Sequence, residues 1–99
     1  MPQNEARLAV TKALAAIERH LSGDRDACLG QQYDPQLKRF QEILLRLRDQ
    51  LDAGERPSVT GEMAKTIADH WPYESVLAEV ITRAEQACHR ISSSIGATH

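Results

Sequence analysis

Cys88, a nucleophile, is followed at once by a base, His89. Nucleophilic catalysis needs the thiol held beside the base, but neighbouring residues on a helix point about 100° apart. Cys88 also falls on an apolar stripe and reads as a buried thiol, packing as a small hydrophobe. His20, His70, His89, His99 and the two cysteines show no paired spacing of the kind a four-ligand zinc site requires. Asp24 and Asp26 begin like a calcium loop, but the remaining ligand positions and the closing glutamate are missing. No glycine-rich phosphate loop follows a strand. The other acids are scattered and read as solvated charges. These residues predict no catalysis, no metal and no cofactor.

A different chemistry gathers in Asp69-His70-Trp71-Pro72-Tyr73-Glu74, which holds Trp71 and Tyr73 in a chain whose other aromatics are Tyr33 and Phe40. One reading makes Trp71 a hydrophobic plug folded back on the core, with Tyr73 half covered. The other makes the segment a docking patch, aromatic anchors ringed by acids, the composition of interface hot spots. The two are compatible if Trp71 is inside and Tyr73 outside. Asp69, Trp71, Tyr73, Glu74 and Glu79 are the candidate partner-binding residues. Charge leans the same way. Residues 1–57 balance, whereas 58–99 hold Glu62, Asp69, Glu74, Glu79 and Glu85 against Lys65, Arg83 and Arg90. A partner surface here would be basic.

Helices must position this segment. Leu37, Phe40, Leu44, Leu47 and Leu51 recur at three and four residues, one face of a helix over about 34–53. Asp34 is the expected N-cap, Pro35 the first helical residue and Gly54 the left-handed stop. The leucine row reads as core packing; as a coiled-coil seam it offers only three heptads. An earlier helix spans about 4–22, capped by Asn4, with Val10, Leu14, Ile17 and Leu21 inward and Leu8, Ala13 and Ala16 at the edges. Gly23 ends it. Residues 23–33 form a connector that Cys28 and Leu29 tuck onto the core. A short helix over about 60–70 is capped by Ser58 or Thr60 and shows Met63, Ala64, Ile67 and Ala68 on one face. Pro72 forces a boundary. The last helix runs over about 73–92, with Leu77, Val80, Ile81, Ala84, Cys88 and Ile91 on one face and Val76 widening it. The tail beyond should fray. The expected fold is all-α: a single domain, an antiparallel bundle of three long helices and one short helix.

Composition limits the function. The chain has 99 residues, a net charge of −2 and 41% hydrophobic content, enough for one core without staples. There is no basic field for a nucleic acid, no apolar run of transmembrane length and no secretory leader pattern. Two cysteines are too few for a disulfide framework, so Cys28 and Cys88 are expected as free thiols of a cytoplasmic protein, with a pairing between them left open.

Laid out this way, the chain resembles the small helical immunity proteins that protect bacteria from their own type VI secretion toxins, in particular those guarding against NAD-hydrolysing effectors. The resemblance covers roughly 8–91. It lies in Lys12-Ala13-Leu14-Ala15-Ala16 of the first helix, Gln36-Leu37 and Leu44-Leu45 of the second, Gly61 with Ala64 in the short helix, and Pro72 before the last. It implies a stoichiometric cytoplasmic inhibitor that binds a cognate toxin and covers its cleft. Acids of the 69–79 segment would then compete for the positive groups that receive the pyrophosphate of NAD. The alternatives are a secretion chaperone or helical adaptor that buries a partner helix in a groove, and a homodimer seamed by the central helix.

Overall fold

The computed structural model describes residues 2–24, 29–72 and 75–97, with side chains over 4–24, 29–72 and 75–92. Four helices account for most of the chain: α1 (Pro2–Leu21), α2 (Asp34–Asp52), α3 (Glu62–His70) and α4 (Val76–Ala97), with a 3-10 turn at Gln31–Tyr33 before α2. The fold is all-α, a bundle of three long helices and one short one.

Paired side chains fix the directions. Arg7 meets Asp52 at 2.8 Å and His20 meets Asp34 at 3.9 Å, so α1 and α2 run antiparallel. Glu5 approaches Arg90 at 3.8 Å while Lys12 shares a groove with Val80, so α1 and α4 are antiparallel too. At the start of α3, Glu62 pairs with Arg39 at 3.3 Å; just past its end, Trp71 reaches Gln36. Against α4, Met63 and Ala64 meet Glu85 while Trp71 shares a groove with Ser75 and Ala78, so α3 and α4 run antiparallel. α1 packs on both α2 and α4, and α3 packs on α4.

The predicted leucine row of α2 is buried throughout: Leu37, Phe40, Leu44, Leu47 and Leu51. It meets Val10, Leu14 and Ile17 of α1 and Leu77, Ile81, Cys88 and Ile91 of α4 in a single core. Burying each large aliphatic side chain contributes about 1.5–3 kcal/mol, so most of the stability comes from these rows. Ala6, Ala13, Ala84 and Ala87 are also buried. Their small side chains let α1 and α4 approach closely. Leu29 is buried as expected, whereas Cys28 lies outside the described residues.

The helix ends differ from expectation in ways that have physical causes. α1 is already helical from Pro2, whose fixed φ suits a first helical position, so Asn4 lies inside the helix and does not cap it. Asp34 does not cap α2. It is itself helical, at φ −57° and ψ −43°, and Tyr33 occupies the cap position. The preceding 3-10 turn supplies the entry that a capping side chain would otherwise define. Gly23 and Gly54 take positive φ as predicted, at 124° and 73°. α4 starts at Val76, three residues later than the periodicity suggests, because Ser75 caps it: its hydroxyl accepts the Ala78 N–H at 3.1 Å. At the other end α4 continues to Ala97, five residues past the expected end near Ser92. Leu8 and Val76, expected at the edges of buried stripes, are 57% and 69% exposed.

Candidate functional site

The site is built where α3 ends and α4 begins. Trp71 has φ −101° and ψ 152°, the extended conformation imposed on a residue before proline. That conformation turns the indole inward. Trp71 is 5% exposed and packs edge-to-face against Tyr33 and tilted against Phe40, with centroids 5.5 Å apart in each pair. Its indole N–H donates to Gln36 Oε1 at 2.6 Å, and the Tyr33 hydroxyl donates to the His70 carbonyl at 3.4 Å. A buried indole needs such an acceptor. Trp71 is therefore the inward plug of the first reading. Three of the chain's four aromatics form one cluster that pins the end of α3 to the start of α2.

Beside the cluster a groove of about 400 Å³ opens between α3 and α4. Ile67, Ala68, Trp71 and Ala78 give it apolar lining, and Glu79 and Arg83 line it from α4. These two pair at 2.6 Å and remain largely in solvent. Of the five candidate residues, Trp71 and Glu79 line this groove together. Asp69 is exposed on α3, outside the lining. Tyr73 and Glu74 lie outside the described residues.

The wall formed by α3 has an unusual fastening. Gly61 stands at its N-cap with φ 80° and ψ 3°, a left-handed conformation that offers no capping side chain. A Cβ built there meets nothing within 4 Å, so glycine is used for its backbone freedom and not for close packing. Thr60 Oγ1 accepts the Glu62 N–H at 3.3 Å. The next two amides are satisfied from another helix: Glu85 of α4 accepts the Met63 N–H at 3.2 Å and the Ala64 N–H at 3.0 Å, one on each carboxylate oxygen. Glu85 is 5% exposed. A buried carboxylate is tolerated here because two amides and the positive end of α3 compensate it.

Sequence reasoning placed Glu85 among solvated acids, and the structure corrects this. The signal was available: Glu85 follows buried Ile81 by four residues and precedes buried Cys88 by three, so it occupies a core position of α4. Tyr33, Gln36 and Phe40, which support Trp71, lie 31 to 38 residues away in sequence and carried no local signal.

Chemically the surroundings of Cys88 are quiet. The thiol is free and buried, and its pKa is pushed up from 9.0 to about 11, first by burial and second by the negative charge of Glu85. A thiol so placed holds its proton and is a poor nucleophile. Among the described residues, no group of three or more His, Cys, Asp or Glu side chains is placed to hold a metal ion, and no helix is long and apolar enough to cross a membrane. What the arrangement offers is an apolar groove with a charged rim. Comparison with known proteins finds no matching family model, no matching curated sequence and no matching solved structure.

Proposed function

We propose that this protein is a non-catalytic inhibitor that binds a protein partner through the α3–α4 groove and the acidic segment beside it. The observation that carries the reading is the convergence of Trp71 and Glu79 on one groove, with Asp69 exposed nearby. Apolar floor and charged rim is the anatomy of a protein interface. Trp71 acts from beneath, as a rigid support, and the contacts fall to Glu79, Asp69, Tyr73 and Glu74. Following the resemblance, the partner is a type VI secretion toxin that hydrolyses NAD, and the protein neutralises it in the cytoplasm by covering its cleft. Acids on the groove rim would occupy the positive groups that receive the pyrophosphate.

The test is binding to the toxin encoded by the neighbouring gene. Replacing Tyr73 and Glu74, or Asp69→Lys with Glu79→Lys, should weaken affinity by about tenfold or more, as loss of interface anchors does. Unchanged affinity in both variants removes the segment from the account.

A second reading has its own support in the shape of the groove. An apolar trough between two helices also suits an amphipathic helix from a secretion substrate, which makes the protein a chaperone or adaptor. An isolated partner segment binding as tightly as the full partner would favour it, whereas rescue of growth from a toxin favours inhibition.

A further inference from the structure

A second groove along α4 shares Arg83 with the first and is otherwise not used by the proposed function. It lies between α1 and α4, has a volume of about 310 Å³ and is lined by Glu5, Leu8, Ala9, Lys12, Val80 and Arg83. That is the small end of the range of about 300–1,000 Å³ in which proteins hold ligands, suited to inserted side chains. Three large hydrophobic side chains are exposed among the described residues, and two of them belong to this face: Leu8 on the groove, and Val76 one turn before Val80 on α4. Exposed apolar groups that cluster mark interaction sites, whereas singly scattered ones do not.

The charges around it are uneven. Glu79 pairs with Arg83 at 2.6 Å, and Glu5 faces Arg90 at 3.8 Å. Lys12 is exposed and has no ion pair among the described residues. The face thus carries three cations, Lys12, Arg83 and Arg90, against two acids. The uncompensated one stands on the rim of the apolar groove.

We propose that the α1–α4 groove docks an amphipathic helical segment of a partner protein, with aliphatic anchors flanked by carboxylates. The anchors enter between Leu8 and Val80, and a carboxylate meets Lys12. A helix matches this shape because its i, i+4 side chains follow a groove between two antiparallel helices. An anionic membrane would also attract lysine, but a bilayer presents a broad plane and this site is concave. A second copy of the chain would set Lys12 near its own counterpart if the two-fold axis passed through the groove, a like-charge contact. This inference does not depend on the α3–α4 reading.

The full chain is titrated with two designed helical peptides of about 18 residues, five turns. Both carry leucines at three- and four-residue spacing; one is flanked by glutamates, the other by lysines. The glutamate peptide should bind and shift the amide resonances of Leu8, Lys12 and Val80. Leu8→Glu and Val76→Asp should each weaken it by about tenfold or more. Both positions are exposed, so these variants should keep the wild-type melting temperature. Lys12→Glu, which leaves the apolar surface intact, should shift preference to the lysine peptide. Four results would overturn the proposal: no binding, equal binding of both peptides, a doubled mass in light scattering that Leu8→Glu abolishes, or adsorption to phosphatidylglycerol vesicles in preference to the peptide.

Discussion

The two grooves along α4 are built on opposite plans. The α1–α4 groove lies between two long helices, of 20 and 22 residues, drawn together by alanines and lined by Leu8, Ala9 and Val80 with Glu5, Lys12 and Arg83 at its edges. The α3–α4 groove has one short wall of nine residues. That wall holds its position through two fastenings, Glu85 at its start and Trp71 just past its end. Nine residues form a marginal helix in isolation, so its order depends on those contacts. The difference teaches that one face of the molecule is set by packing along whole helices, and the other by a few specific groups. The second kind can be adjusted by changing one residue.

Loss of Trp71 should break the comparison most severely. Trp71→Ala removes the plug from Tyr33 and Phe40 and should cost about 3–5 kcal/mol in urea unfolding. An unfolding free energy within about 0.5 kcal/mol of wild type, the range of ordinary surface changes, would show that the aromatic cluster does not hold α3. Glu85→Ala comes next. It leaves two amides at the start of α3 without a partner and should cost about 2–4 kcal/mol. Amide exchange should accelerate at Met63 and Ala64 and stay slow at Val10 and Ile17 of α1. Equal acceleration in both places would mean that the two faces are not independently built.

The smallest effect sharpens the electrostatic side. The fold disfavours the Cys88 thiolate, so the folded chain keeps a proton that the unfolded chain releases above pH 9.0. This contribution is complete below that pH and declines as pH rises toward about 11. At pH 10 the wild type should lose about 1 kcal/mol more than Cys88→Ala does over the same interval. Parallel pH profiles for the two proteins would contradict the burial of the thiol.

Much of this fold was legible in the sequence, and the reason is local. The leucine row of α2 is a repeat that any neighbour must cover, and Gly23, Gly54 and Pro72 act on their own backbone. The boundary at Pro72 followed from that chemistry, whereas the inward turn of Trp71 was one of two readings left open until Tyr33, Gln36 and Phe40 were seen around it. Long-range satisfaction of local groups was not legible. Asp34 looked like a cap until the turn at Gln31–Tyr33 took over the entry to α2. Gly61 gave no cap, and nothing nearby in sequence showed that an acid 24 residues later would supply one. For the candidate site, composition located the acidic-aromatic segment, whereas the groove itself needed α3 and α4 to be brought side by side. The exposure of Leu8 and Val76 was missed because a stripe marks the centre of a buried face better than its edges.

Amide hydrogen exchange, with and without the proposed partner, a toxin encoded by a neighbouring gene, tests the central claim most directly. Protection gained on binding should concentrate from Ile67 to Arg83, along both walls of the α3–α4 groove. Binding that leaves this stretch unchanged, with protection confined to α2 or to the first turns of α1, would contradict the assignment of that groove as the inhibitory surface.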